Sequence, residues 1–234
     1  MSAPGRLLVV APHPDDEILG AGGSIARFAG AGGEAIVLTV AAHMPPLYPA
    51  DIHRRTVAEA RRAHGIVGVK SSIFLDYPAV LLREAPVAEV NARILTVLKD
   101  FQPQVVLVPY VDRHVDHRVV FDACMVACRP VGPGRGISVL AAYETVSETH
   151  WTAPHIEPNF TPSWVVDITA HIEPKIEAMR MYESQLQGYP AARSVEALRA
   201  LALFRGSQIG VGFGEAFQLI RMTAPPDLFN NGGG

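Results

Sequence analysis

The succession of apolar runs and helical stretches from Leu7 to Cys128 most constrains the fold. Leu7 to Ala11 is a short run rich in β-branched residues. It is followed by helical spacing from about Asp16 to Ala29, through Ile18, Leu19, Ile25 and Phe28, closed by Gly30, Gly32 and Gly33. The pattern recurs: Ala35 to Ala41 reads as a strand, Asp51 to His64 as an amphipathic helix stopped at Gly65, and Ser72 to Leu75 as a strand. Val87 to Asp100 then reads as a helix, Gln104 to Tyr110 as a buried strand, and His117 to Cys128 as a helix. Short apolar strands alternating with helices predict a parallel sheet covered on both faces. The expected class is therefore α/β, a three-layer sandwich with a largely parallel, Rossmann-like sheet. Ligands of such sheets bind outside the carboxyl ends of the strands.

Beyond Cys128 the signals are more mixed. Arg129 to Gly136 is a loop by composition. Strands are expected at Ser138 to Glu144, Trp164 to Ile168 and Glu215 to Met222, with helices at His171 to Gln187 and Val195 to Phe204. The proline-rich stretch from His150 to Ser163 is a candidate lid or rim. No repeat or linker divides the chain, so one domain is expected over residues 1–229, with a disordered tail at 230–234. The 234 residues are 49% hydrophobic and 18% charged, enough to bury a core without disulfides. A net charge of -3 argues against a nucleic-acid partner. No apolar stretch approaches the roughly 20 residues of a membrane span. Nor does the N-terminus show a secretory pattern, which predicts a cytoplasmic protein. Cys124 and Cys128, one helical turn apart, are expected to be small packing residues.

Two polar clusters carry the chemistry. His13, Asp15, Asp16 and Glu17 follow the first strand directly, and His114, Asp116 and His117 follow the strand ending at Tyr110. Acids at a helix start are favoured by the helix dipole, and that alone would explain the first cluster. Two such clusters at two strand ends demand more, because neighbouring carboxylates are costly without a balancing cation. His13, Asp16 and His117 would offer two nitrogens and an oxygen to a zinc ion, leaving one position open. Asp15 would then be free to take a proton from water. His114 would stabilise an oxyanion or protonate a leaving amine, and Asp116 would orient an imidazole.

The segment Val9-Val10-Ala11-Pro12-His13-Pro14-Asp15-Asp16-Glu17-Ile18-Leu19-Gly20, followed by Gly22-Gly23, resembles the signature of the LmbE-like, or PIG-L-like, de-N-acetylases. Arg113 to His117 resembles their second motif, and Ser163 to Thr169, Lys175, Tyr182 to Gln185 and Gly214 to Phe217 resemble their C-terminal half. The resemblance implies Zn2+ on His13, Asp16 and His117, Asp15 as general base, and His114 assisting transition-state charge. It also implies hydrolysis of the N-acetyl group of an N-acetylglucosamine unit in a small-molecule conjugate, by a metal-bound water. The aglycone is left open. Relatives often form homo-oligomers, and the apolar C-terminal half is compatible with that. Val115 replaces the usual proline, and Ala41-Ala42-His43 replaces a polar, glycine-containing turn. Alternatives are a hydrolase of a thiol conjugate or another amide, and a metal-binding module without turnover.

Other residues carry weaker signals. Gly20, Gly22 and Gly23 lack the G-x-G-x-x-G spacing of a dinucleotide loop, and tight packing of a helix accounts for them better. His43 is expected at the pocket rim or in a structural role. By the same resemblance, Arg54 or Arg55 approaches the substrate. Tyr189 or Tyr182 could offer a phenol to the oxyanion. His53, His64, His150, His155 and His171 read as surface or packing residues.

Overall fold

The computed structural model describes residues 5–223; the tail at 230–234 lies outside them. Seven strands form one sheet: β1 (Arg6–Ala11), β2 (Glu34–Ala42), β3 (Ser71–Pro78), β4 (Val105–Pro109), β5 (Val139–Tyr143), β6 (Trp164–Asp167) and β7 (Gly214–Met222). Their spatial order is β3-β2-β1-β4-β5-β7-β6. The pairs from β3 through β5 are all parallel, while β7 runs antiparallel to both β5 and β6. The sheet is thus mixed but mostly parallel, as the alternation predicts.

Helices α1 (Asp16–Gly30), α2 (Ala50–Ile66), α5 (Ile172–Arg180) and α6 (Val195–Ser207) cover one face, and α3 (Val87–Phe101) and α4 (Val115–Ala127) the other. Strand β1 shows why both faces must be covered. Leu7, Val9 and Ala11 point into the core beneath α1, and Leu8 and Val10 into the core beneath α3 and α4. A strand apolar at every position has no face to give to water.

Strand β1 lies between β2 and β4, so the chain winds away from it in both directions. The carboxyl ends of β1 and β4 are neighbours at this reversal of strand order, where α/β sheets leave a crevice. The register sets Leu7 beside Val105 and Val9 beside Leu107, which brings the segments after Ala11 and Pro109 together.

Three elements depart from the sequence reading. Helix α2 continues through Gly65 to Ile66, since one glycine costs only about 1 kcal/mol in a packed helix. Strand β3 runs on to Pro78 beside β2. The helix expected over His171 to Gln187 stops at Arg180. Ser184 bonds the buried carboxylate of Glu59 through its backbone N–H and its hydroxyl, which takes the chain out of helical register. Cys124 and Cys128 are buried free thiols. No helix among the described residues is long and apolar enough to cross a membrane.

Gly20 and Gly23 sit inside α1, against Tyr143 of β5 and against Ile168 respectively, which rules out a phosphate loop there. A Cβ on Gly20 would stand 2.2 Å from Tyr143 Cδ2 and 2.9 Å from the carbonyl oxygen of Glu144. Gly20→Ala is therefore expected to lower stability by about 1–3 kcal/mol through overpacking. Denaturant titration measures this, and an unchanged midpoint would contradict the close approach.

Candidate metal centre and its cleft

The residues after β1 and β4 meet in a cleft of about 610 Å³. His13 and His117 each present one ring nitrogen to a common oxygen. Nδ1 of His13 lies 3.3 Å from Asp16 Oδ2, and Nε2 of His117 lies 3.2 Å from the same atom. The opposite nitrogens are engaged elsewhere. His13 Nε2 bonds Asp116 Oδ2 at 2.8 Å, and His117 Nδ1 bonds Asp112 Oδ2 at 2.9 Å. Asp116 and Asp112 are held in turn by the Val80 N–H and by the Thr149 hydroxyl. Each imidazole is thus fixed by its own aspartate, the usual support behind a metal-ligating histidine.

A cation fits this donor set. Buried His117 Nε2 has no hydrogen-bond partner. Ligand atoms on a tetrahedral zinc, at about 2.0–2.2 Å from it, stand roughly 3.3 Å apart, which matches the two separations. The electrostatics agree. Burial pulls both imidazoles down, yet Asp116 and Asp16 lift His13 to about 9, and Asp16 and Asp112 lift His117 to about 10. Burial pushes Asp16 up, and His117 and His13 outweigh it, holding the carboxyl well below its usual range. The pocket favours positive charge.

His114 lies within the same group. One nitrogen from each of His13, His114 and His117 falls within 4.8 Å of the others. Nδ1 of His114 accepts the Asp116 backbone N–H at 3.1 Å, capping α4. A neutral ring accepting through Nδ1 carries its proton on Nε2. In that tautomer His114, which lines the cleft, has an N–H to donate.

Asp15 sits between β1 and α1 with φ 113° and ψ -29°, a strained backbone for a side chain with a Cβ. Such a conformation costs on the order of 1–3 kcal/mol and persists only where its surroundings enforce it. Burial pushes its carboxyl up to about 8, with the Arg193 guanidinium opposing and Asp16 and Glu17 adding. Arg193 Nε lies 3.7 Å from Asp15 Oδ2, and Arg193 NH2 3.8 Å from Glu148 Oε1.

The cleft walls differ in part from the sequence reading. His43 lines the wall, its ring centroid 6.2 Å from that of His13. Arg55 also lines it, bonding Glu59 at 2.9 Å, whereas Arg54 points to solvent outside it. Tyr189 is 75% exposed and is not part of the wall. Tyr182 is fully buried, bonds Glu17 and does not line the cleft. The stretch from His150 to Ser163 contributes nothing to the lining. Bonds from His150 to Glu144, Arg118 to Glu157 and Tyr110 to Pro158 tie it down. Ser184, Gln185 and Arg193 form the opposite wall instead.

Asp112, Glu148 and Arg193 have no part in the sequence reading. Asp112 has a usable signal, as an acid three residues after β4 and two residues before His114. Arg193 lies in a turn-rich segment with no motif around it.

An α/β sandwich with paired, aspartate-backed imidazoles at its strand-order reversal defines a class of site that could hold a divalent cation beside a buried carboxyl group, that of Asp15. Residues 8–128 match the model of PIG-L, described as GlcNAc-PI de-N-acetylase. The chain belongs to that family, which makes it an amide hydrolase by class. Diacetylchitobiose deacetylase of Thermococcus kodakarensis is 27% identical over 229 residues, covering 92% of this chain and 83% of the relative. The crystal structure of a conserved protein from Thermus thermophilus is 28% identical, covering 97% of this chain and 98% of that one at a TM-score of 0.73. The fold alone is shared with a 4-carboxy-2-hydroxymuconate hydratase from Pseudomonas putida, 21% identical over 94% of this chain and 98% of that one, at a TM-score of 0.78. Function must therefore be argued from the site.

Asp112→Asn keeps the shape behind His117 and removes the charge. It is expected to weaken metal affinity by about 10–100-fold. Competition against a chromophoric chelator measures this, and wild-type affinity would remove Asp112 from the support of the site.

Proposed function

We propose that this chain is a zinc-dependent hydrolase that removes the N-acetyl group from an N-acetylglucosamine unit of a small conjugate. The observation that carries this is the shared oxygen, Asp16 Oδ2, flanked by the inner nitrogens of two imidazoles whose outer nitrogens are bound to aspartates. His13 Nδ1, Asp16 Oδ2 and His117 Nε2 are the three ligands. A divalent ion held there polarises the acyl carbonyl and makes a water more acidic. The family description and the activity named for the Thermococcus relative point to an N-acetylated sugar.

The chain's own residues supply the rest. Asp15 lines the cleft beside the ligands, coordinates nothing, and takes the proton of the attacking water as general base. A cation next to it favours its ionised form and so opposes the effect of burial. His114 donates a hydrogen bond from Nε2–H to the oxygen on which charge develops. Asp15 then returns its proton to the departing sugar nitrogen, releasing acetate and a free amine. Arg193 holds the wall nearest Asp15, anchored by Ser147 Oγ and Gln185 Oε1 at 3.1 and 3.2 Å.

Asp15→Ala is expected to retain the metal while amine release falls by about 10²–10⁴-fold. Metal analysis and an amine-release assay on N-acetylglucosamine, diacetylchitobiose and an inositol conjugate read the two quantities separately. Undiminished turnover would remove Asp15 from the mechanism.

A further inference from the structure

Behind the catalytic loop lies a chain of buried polar side chains that takes no part in lining the cleft. Glu17, Tyr182 and His64 are all 2% exposed or less. Glu17 Oε2 accepts the backbone N–H of Asp15 at 3.3 Å. Its other oxygen accepts the Tyr182 hydroxyl and faces His64 Nε2 at 3.2 Å. His64 Nδ1 lies 2.6 Å from Ser72 Oγ.

Donors and acceptors along this chain are complementary. The Ser72 hydroxyl donates to Nδ1, which leaves the proton on Nε2 to be donated to Glu17. Glu17 thus receives donors from α2, from the turn after α5, and from Asp15 itself. Because the chain ends on the backbone N–H of Asp15, it has no access to the carboxylate proton. What it fixes is a conformation. The carbonyl of Asp15 is already committed to the N–H groups of Ile18 and Leu19 at 3.0 and 2.9 Å. With the N–H held as well, the peptides on both sides of the strained Asp15 are immobilised. A satisfied buried network of this kind specifies one geometry.

We propose that Tyr182 and His64 are positioning residues which, through Glu17, hold the Asp15 backbone in its left-handed conformation and so aim its carboxylate into the cleft. This rests on the reading of Asp15 as the base. Neither residue touches substrate; both act on the reaction at one remove.

The test is a double-mutant cycle between Tyr182→Phe and Asp15→Ala, assayed as amine release from diacetylchitobiose on metal-loaded protein. Tyr182→Phe alone is expected to lower kcat by about tenfold, with KM and metal content unchanged. In the Asp15→Ala background it is expected to cost nothing further. His64→Gln, which keeps an N–H donor for Glu17, is expected to stay within about twofold of wild type, and His64→Leu to lose about tenfold. An equal cost of Tyr182→Phe with and without Asp15, or equal rates for His64→Gln and His64→Leu, would overturn the proposal. A crystal structure of Tyr182→Phe/His64→Leu reads the claim without turnover: Asp15 is expected to leave positive φ, and an unmoved Asp15 would also overturn it. Undiminished activity of Asp15→Ala alone would instead defeat the assignment of the base.

Discussion

Attraction between carboxylates and a shared positive charge organises this molecule. Asp16, Asp112 and Asp116 converge on the imidazoles of His13 and His117 at the buried floor of the cleft. Without positive charge among them the three acids would repel one another at low dielectric. The two strand ends come together because β1 and β4 pair side by side, and the charge distribution that results calls for a cation. The fold delivers the groups, and their electrostatics determine what they accept.

The surrounding structure separates groups that hold from groups that act. Asp112 and Asp116 stand outside the imidazoles, while Asp16 stands between them. Asp15, one residue away, has an unusual φ and faces Arg193. His114 spends one nitrogen on the start of α4 and keeps the other for the cleft. Adjacent residues of the same type thus acquire different tasks from backbone direction and hydrogen-bond partners.

Much of this was legible in the residues. The alternation of apolar runs and helical stretches fixed the parallel part of the sheet, and the clusters after Ala11 and Tyr110 marked the cleft. Tertiary contacts were harder to read. The helical pattern continues past Arg180, and only the bond between Ser184 and Glu59 shows why the helix does not. His64 carries no local sign of its role, because its partners Glu17 and Ser72 come from other elements. Arg193 is similarly obscure, since its place opposite Asp15 depends on the path of a turn-rich segment. Arg54 and Arg55 are neighbours in sequence, and the rotation of one helical residue decides which reaches the wall.

The reversal of strand order between β1 and β4 also bears on assembly. The two halves of the proposed site are about a hundred positions apart along the chain, with β2, β3 and the intervening helices between them. An ion bound across that seam acts as a staple between two strands with no covalent link nearby, closing a loop that contains nearly half the polypeptide. Capture of an ion there would therefore report that the centre of the sheet is complete, since a chain that has not yet paired these strands has only half a grip to offer.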